Sequence, residues 1–298
     1  MKNIRWPYIL KIVVFTILVT LVAIDLGGAW LFVSALTGGP CDSFPDPPTA
    51  WGSYIDTTIT THDGRQLPVR YYPTQNGAAV IAMGGMDGSI GNALPSIEPL
   101  LEAGYGVLQV GSRRCAQPRG RVTLGYNEAF DAVQGAAFLM EQPEVDPERI
   151  GIYGFSMGGV SSIRAAARTP EIKAVVAMGG YHNLGEDFVE GDRETRVGLP
   201  KWVFFHTIAA AYRLQTGVDP WQSSPIDDLP TISPRPVLLI YGENEVTTNR
   251  GREQYAAALE PKELWVVPGA GHGNYHLAAQ EEFAQRLVEF FDAALLGE

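Results

Sequence analysis

The chain has 298 residues, a formal net charge of −11, 46% hydrophobic residues and 18% charged residues. This length fits one large domain or two small ones, and the composition excludes an intrinsically disordered chain. The acidic balance argues against a nucleic-acid partner, because a phosphate-binding surface needs clustered lysine and arginine. Two cysteines are too few for a disulfide scaffold or a four-thiolate zinc site.

The first 36 residues form a basic, apolar segment. Ile12–Ile24 contains no charged residue, Asp25 interrupts the run, and Leu26–Leu36 continues it. A helix over Ile12–Leu36 exceeds the roughly 20 residues that cross about 30 Å of hydrocarbon. The charges that precede it are all positive: Lys2, Arg5 and Lys11. Since positive flanks stay in the cytoplasm, we expect residues 1–36 to be a single-pass anchor in the cell membrane, with an extracytoplasmic catalytic body.

Two other interpretations of this segment stay open. A cleaved signal peptide has a similar apolar run, and Val33-Ser34-Ala35 resembles a cleavage site, in which case the protein is secreted. A buried helix of the body is disfavoured because the segment has no polar face. Residues 37–50 are rich in proline and are predicted as an extended stalk, so that the globular body covers residues 51–298.

The body alternates short apolar strands with helices. Tyr54–Thr61 and Gln66–Tyr72 flank Asp63-Gly64, a pair typical of a hairpin turn. Further strands are predicted at residues 78–83, 106–110, 150–153, 174–177, 237–241 and 263–267. Strand–helix alternation implies an α/β fold with a mostly parallel sheet covered on both faces.

The segment Tyr181–Ser233 interrupts this alternation without a clear strand. An insertion of this length is most often a lid over a site. It is rich in large aromatic residues, which favour an apolar acyl or aryl group in the substrate. These residues are Phe188, Trp202, Phe204, Phe205, Tyr212 and Trp221.

A nucleophile motif occupies one strand–helix connection. Gly154-Phe155-Ser156-Met157-Gly158 has the pattern G-x-S-x-G, between a predicted strand at 150–153 and a predicted helix at 160–168. Such a turn holds its serine in a strained backbone, and the glycines let the strand and the helix approach. We therefore predict Ser156 as a nucleophile. The alternative is a glycine-rich connection with an incidental serine.

A base and an acid follow the last two predicted strands. His272 lies in a flexible glycine-rich loop after the strand at 263–267, from which an imidazole reaches the carboxyl edge of the sheet. Glu245 lies four residues past the strand at 237–241, and Glu243 is the alternative acid. The chain order nucleophile, acid, base is that of a serine hydrolase triad.

The backbone N–H of Met157 is predicted to stabilise the oxyanion, since it follows the nucleophile. A second donor is expected from Gly85, or alternatively Met86, in the glycine-rich loop at residues 84–88. This loop lacks the G-x-G-x-x-G pattern of dinucleotide sites. His272 and His276 lack the glutamate of the usual zinc motif, so neither a cofactor nor a metal is predicted.

These motifs resemble those of α/β-hydrolase-fold serine hydrolases. Residues 54–296 are similar to the dienelactone-hydrolase and prolyl-oligopeptidase-like branch, including small membrane-anchored members, on the segments 154–159, 235–243 and 268–273. The resemblance implies an eight-stranded core, a Ser–acid–His triad and an insertion before the acid-bearing strand. The sequence departs from the family where Glu245 stands in place of the usual aspartate, and where Met83-Gly84 stands in place of the usual His-Gly.

Cys41 and Cys115 are either two unrelated thiols or, if the body faces an oxidising compartment, a disulfide that ties the stalk to the core. A basic cluster in the same loop as Cys115 is predicted as a solvated rim or, alternatively, as a contact for an anionic substrate. It comprises Arg113, Arg114, Arg119 and Arg121.

The sequence thus predicts a hydrolase of small-molecule carboxylic esters or thioesters that forms an acyl-enzyme on Ser156. A peptidase or an acyltransferase with the same triad is one alternative. A catalytically idle binding protein tethered to the membrane is the other, since a fold does not determine a function. No oligomeric state is predicted.

Overall fold

The computed structural model describes residues 6–42, 44–86, 97–190 and 201–297, apart from the side chains of 189–190 and 201–205. The strands are β1 Ile55–Thr60, β2 Gln66–Tyr72, β3 Ala79–Met83, β4 Gly106–Val110, β5 Ile150–Phe155, β6 Ile172–Met178, β7 Val237–Gly242 and β8 Lys262–Val267. The helices are α1 Trp6–Thr37, α2 with its described part at 97–102, α3 Tyr126–Met140, α4 Met157–Ala166, α5 Leu184–Glu190, α6 Lys201–Thr216, α7 Pro225–Asp228, α8 Thr248–Ala257, α9 Tyr275–Ala278 and α10 Gln280–Phe291.

All eight strands form one sheet in the order β1-β2-β4-β3-β5-β6-β7-β8. The β1–β2 and β2–β4 pairs are antiparallel, and every other pair is parallel. The predicted eight-stranded, mostly parallel sheet is therefore confirmed. Because parallel strands end at the same edge, the connections after β5, β7 and β8 all emerge on one side of the molecule.

The sheet is buried on both faces. Helices α3 and α4 cover one face, and α2 and α10 cover the other, each over a separate apolar cluster. A Cβ at Gly151 in β5 would lie 2.5 Å from the Phe291 ring, so only glycine lets α10 pack this closely on the sheet. Burial on both faces explains why these strands are continuous apolar runs.

Helix α1 has two halves with different surroundings. At 1.5 Å per residue its 32 residues extend about 48 Å, long and apolar enough to cross a membrane. The large apolar side chains from Trp6 to Ile24 are exposed. Beyond them one face is buried at a spacing of four residues: Asp25, Ala29, Val33 and Thr37.

The buried face of α1 packs against α6, a helix of the long insertion. The Ser34 hydroxyl donates to Gln215 Oε1 at 2.9 Å, and the Gln215 amide donates to the Trp30 carbonyl at 2.9 Å. Helix α1 therefore continues into the body rather than ending before it.

The segment predicted as a stalk lies against the body. Cys41 and Cys115 form a disulfide, with their Cα atoms 4.8 Å apart. The Arg70 guanidinium donates to the Pro45 carbonyl at 2.6 Å. Of the two interpretations of the cysteines, the structure has the disulfide.

The insertion between β6 and β7 contains α5, α6 and α7. Gly185 in α5 is covered by Trp221, whose ring would lie 2.5 Å from a Cβ at that position. Residues 191–200 of the predicted lid, and the side chains of Trp202, Phe204 and Phe205, lie outside the described part of the chain.

Candidate active site

Ser156 occupies a sharp turn between β5 and α4. Its φ is 55° and its ψ is −116°, a region that costs a non-glycine residue about 1–3 kcal/mol. The backbone N–H of Ser156 donates to the Met178 carbonyl at 2.7 Å, which ties the turn to β6. The turn holds the serine side chain at the carboxyl edge of the sheet.

Two glycines make this turn sterically possible. A Cβ at Gly154 would lie 2.2 Å from the Gly158 carbonyl oxygen, and a Cβ at Gly158 would lie 2.1 Å from the Met83 carbonyl oxygen. No side chain fits at either position, so both motif glycines are required by the close approach of β5, α4 and β3.

His272 lies between Ser156 and Glu245. Its Nε2 is 3.1 Å from Ser156 Oγ, and its Nδ1 is 2.6 Å from Glu245 Oε1. The three residues come from the connections after β5, β7 and β8. The His272 side chain is 46% exposed, whereas that of Glu245 is 2% exposed. The Phe155 ring packs against the imidazole, 4.7 Å between centroids.

The Glu245 carboxylate is surrounded by donors besides His272. The Gly242 N–H donates to Oε2 at 2.9 Å, the Tyr275 hydroxyl donates to Oε2 at 2.7 Å, and the Thr247 hydroxyl donates to Oε1. Burial favours the neutral acid, but the hydrogen bonds from His272 and the other donors outweigh it, so the Glu245 pKa is lowered. Glu245 is therefore held as a carboxylate.

Glu243, the alternative acid, points elsewhere. It is exposed, and its carboxylate accepts from the Gly269 N–H at 2.9 Å. The structure thus brings Glu245, and not Glu243, to His272.

Three supporting residues of this site were not recognised in the sequence. Tyr275 and Thr247 hold the Glu245 carboxylate. Gly179, at the end of β6, has a φ of +59°, and a Cβ there would lie 2.2 Å from the Tyr275 hydroxyl. Their closeness in sequence to the predicted site residues could have indicated them: Tyr275 follows His272 by three residues, and Thr247 follows Glu245 by two.

The predicted oxyanion donors lie beside the serine turn. Met157 is the first residue of α4, so its N–H is not used within the helix. Gly84, Gly85 and Met157 line one small cavity. Met86, the alternative donor, has an exposed side chain, and residues 87 and 88 of the loop lie outside the described residues.

The basic cluster divides into two pairs. Arg113 and Arg114 are buried, so the predicted solvated rim is wrong for these two. Arg113 pairs with Asp131 and with Asp63, each at 2.6 Å. Arg119 and Arg121 are exposed, as expected of a rim.

Three of the other four histidines make side-chain contacts of their own, and the fourth, His206, is exposed. His182 Nε2 lies 3.0 Å from Glu186 Oε2, His62 stacks on Phe130, and His276 faces Phe283. In the described ranges, no group of three or more His, Cys, Asp or Glu side chains is arranged to hold a metal ion.

Several proteins, among them two from Pseudomonas, have sequences similar to this chain. PA2218 of Pseudomonas aeruginosa is 28% identical over 229 residues, which are 60% of this chain and 61% of PA2218. The chain therefore matches somewhat less than two thirds of that protein's length. An ethyl acetate hydrolase of Pseudomonas putida is 34% identical over 140 residues, which are 42% of this chain and 40% of the hydrolase.

A solved structure and a family profile extend the similarity. The esterase Pf2001 of Pyrococcus furiosus superposes with a TM-score of 0.69 at 25% identity, over 86% of this chain and 99% of the esterase. The sequence profile of the prolyl oligopeptidase family matches residues 117–298, more than half of the chain. The chain has the α/β-hydrolase fold and belongs to the prolyl oligopeptidase family.

Proposed function

We propose that the protein is a serine hydrolase that cleaves a carboxylic ester or thioester through an acyl-enzyme on Ser156. The observation that carries this proposal is the hydrogen-bonded chain from Ser156 Oγ through His272 to Glu245, with separations of 3.1 and 2.6 Å. A serine hydroxyl is a weak nucleophile until an adjacent base takes its proton. A catalytically idle protein gains nothing from a strained serine aligned with a base and a buried acid.

In the proposed reaction, Ser156 Oγ attacks the carbonyl carbon while His272 Nε2 takes the hydroxyl proton. The Glu245 carboxylate accepts the Nδ1–H and stabilises the imidazolium. The N–H groups of Met157 and Gly85 stabilise the oxyanion. The tetrahedral intermediate collapses, and the alcohol or thiol leaves with the proton from His272. Water then attacks the acyl carbonyl while His272 takes a proton from it. The carboxylic acid leaves, and Ser156 Oγ regains the proton from His272.

The surroundings of Met157 favour an apolar acyl group. Met157 belongs to an apolar cluster that includes Leu184, Ile208, Tyr212 and Val218 of the insertion. This contact supports assigning residues 181–233 as a lid over the acyl side of the site. The relatives named as an esterase and as an ethyl acetate hydrolase favour esters over amides.

Labelling with a fluorophosphonate probe, together with hydrolysis of short-chain and medium-chain p-nitrophenyl esters, tests this function. We expect the wild type to be labelled and active, and Ser156→Ala to be neither. Ser161→Ala is the matched control, since that hydroxyl lies on the same helix but donates to the Met157 carbonyl. Labelling of Ser156→Ala at the wild-type level would refute the assignment of the nucleophile.

A peptidase is the second candidate, because the matching family is that of prolyl oligopeptidase. Measuring kcat/KM for peptide p-nitroanilides and for p-nitrophenyl esters of matched acyl groups distinguishes a peptidase from an esterase. A higher kcat/KM for the anilides would favour the peptidase.

We further propose that α1 anchors the chain in the cell membrane, with the body on the extracytoplasmic side. The exposed apolar half of α1, the positive residues before it and the Cys41–Cys115 disulfide support this arrangement. A phosphatase reporter at the C-terminus, active only outside the cytoplasm, should be active. An intact-mass measurement distinguishes the anchor from a cleaved signal peptide, since cleavage after Ala35 removes the whole apolar run.

A further inference from the structure

A cleft of about 470 Å³ lies where α1 meets the body. Ser34 near the end of α1 and Gln215 of α6 form part of its wall. Its other notable feature is a set of four arginines: Arg65, Arg113, Arg119 and Arg121. In a chain with a formal net charge of −11, this concentration of positive charge is a local exception.

Two of the four arginines are neutralised by the protein. Arg113 pairs with Asp131 and Asp63, and Arg65 pairs with Asp63 at 2.8 Å. Asp63 is the sole carboxylate among the described lining residues. Burial opposes its ionisation, but hydrogen bonds from Thr61 and both arginines outweigh this and hold its pKa well below the usual range.

The other two arginines keep their charge available. Arg121 Nη1 donates to the neutral Thr37 hydroxyl at 3.0 Å, and Arg121 forms no ion pair with a described residue. The Arg119 side chain has no hydrogen bond or ion pair within the described ranges of the chain, and it is exposed. Asn127 also lines the cleft and adds an amide donor. Exposed guanidinium groups with free donors are suited to binding phosphate oxygens.

The position of the cleft along α1 matches the headgroup region of a bilayer. Lys11 and the exposed Trp30 lie about 29 Å apart at 1.5 Å per residue. Lys11 and Gly38, which borders the cleft, lie about 40 Å apart by the same rise. A bilayer has about 30 Å of hydrocarbon and about 40–45 Å including headgroups, with aromatic residues at both interfaces. An anchor with Lys11 at the cytoplasmic headgroups therefore places the cleft among the opposite phosphates, and it places the end of α6, where Gln215 bonds the Trp30 carbonyl, within the outer leaflet.

We propose that this cleft binds the phosphodiester headgroup of an acidic phospholipid in the leaflet beneath the body. The proposal rests on the membrane anchoring proposed above for α1. Arg119 and Arg121 bind the phosphate oxygens, and Asn127 donates to the same group. The cleft prefers acidic to zwitterionic lipids, because its one described carboxylate is already shared by two arginines and does not bind a choline cation. A bound headgroup fixes the body at a constant height and orientation over the bilayer.

The test uses the full-length protein in detergent micelles and native mass spectrometry. The probes are phosphatidylglycerol, phosphatidylcholine, diacylglycerol and inorganic phosphate. We expect phosphatidylglycerol to bind most tightly, and Arg119→Gln/Arg121→Gln to weaken it by about tenfold or more, since two charge-assisted hydrogen bonds are lost. The matched control Arg149→Gln/Arg252→Gln removes the same charge at partly exposed Arg149 and exposed Arg252, away from the cleft, and should bind as the wild type does.

Three outcomes would overturn the proposal. One is equal binding of diacylglycerol and phosphatidylglycerol. Another is an equal loss of phosphatidylglycerol affinity in the Arg119→Gln/Arg121→Gln variant and in the control double variant. The third is tight binding of inorganic phosphate that phosphatidylglycerol does not displace, which would assign the cleft to a free anion. If the double variant melts well below the wild type, Arg119→Gln alone serves, because that side chain is exposed and forms no hydrogen bond or ion pair with the described residues.

Ser156→Ala separates this proposal from the proposed chemistry. It should bind phosphatidylglycerol as the wild type does while losing fluorophosphonate labelling. If the wild type binds lipid but is not labelled, the lipid-binding cleft is supported and the hydrolase is refuted. If it is labelled but its lipid binding does not depend on the arginines, the hydrolase is supported and the lipid-binding cleft is refuted. The reporter fusion tests the anchoring on its own.

Discussion

The carboxyl edge of the sheet, where we propose the catalysis, and the α1–α6 junction are assembled in different ways. At the edge, Ser156, Glu245 and His272 each follow directly after a strand, and the sheet brings the three connections together. At the junction, Ser34 is hydrogen-bonded to Gln215, which lies 181 residues later in the chain. The contact is made by one face of α1, a helix whose sequence has no distinct polar face. The first arrangement follows from strand order, whereas the second depends on a partner helix far along the chain.

The two regions also differ in what their residues contribute. The edge holds a strained serine and a half-exposed imidazole, neither of which adds much buried apolar surface to the fold. The junction buries Ala29 and Val33, which do. We therefore expect substitutions at the edge to act mainly on rates and substitutions at the junction to act on stability alone. The predictions below test this separation, from the largest effect to the smallest.

His272→Ala should reduce kcat/KM for p-nitrophenyl esters by about 10⁴-fold or more, because the serine loses its base. The free energy of unfolding should fall by no more than about 1–3 kcal/mol, the cost of the hydrogen bond that the buried Glu245 carboxylate loses. Steady-state kinetics and urea unfolding measure the two effects. A large loss of stability would contradict the separation of the two regions.

Removing the Cys41–Cys115 disulfide by double substitution to serine should lower the free energy of unfolding by about 2–4 kcal/mol, because the cross-link closes a long loop in the unfolded chain. The kcat of the folded variant should match that of the wild type. Melting with and without dithiothreitol measures the effect. Dithiothreitol should destabilise the wild type alone, and equal sensitivity of the serine variant would contradict the assignment.

Tyr275→Phe should lower kcat by about 10-fold to 100-fold, because the Glu245 carboxylate loses a hydrogen bond worth about 1.5–3 kcal/mol. Tyr105→Phe is the matched control: its hydroxyl donates to Asp292 at 2.6 Å, far along the chain from the site. That control should lose stability and keep kcat. An equal loss of kcat in both variants would show a general packing effect.

The same variant predicts a pH dependence. The lowered pKa of Glu245 stabilises the fold above the ordinary glutamate pKa, and this contribution is lost as the pH falls through the folded-state value. Tyr275→Phe raises the Glu245 pKa toward its ordinary value. Its stability deficit should therefore be full at pH 7 and shrink in acid, which urea unfolding at a series of pH values measures. A deficit independent of pH would contradict this account.

Val33→Ala should lower the free energy of unfolding by about 1–2 kcal/mol, because it removes buried methyl groups from the contact with α6. Leu31→Ala is the matched control on the same helix, since its side chain is 70% exposed. Thermal melting of both in the same detergent makes the comparison. An equal loss of stability in both variants would contradict the docking of the Val33 face of α1 against α6.

The sequence predicted the sheet and the segments that meet at its edge, because alternating strands and helices leave a local pattern. It did not predict that Asp25 faces the body or that Arg113 and Arg114 are buried. Burial of a charged residue depends on partners such as Asp63 and Asp131, which come from other parts of the chain. The hydroxyls of Tyr275 and Thr247 were missed because no motif encodes how a carboxylate is held.

Helix α1 runs without a break from Trp6 to Thr37, so its exposed half and its docked half share one helical register. Each residue inserted before Asp25 would displace the N-terminal end by 1.5 Å and turn it by about 100° relative to the body. The continuous helix therefore fixes the angle between the body and the axis of the exposed half. A flexible linker would have left that angle free.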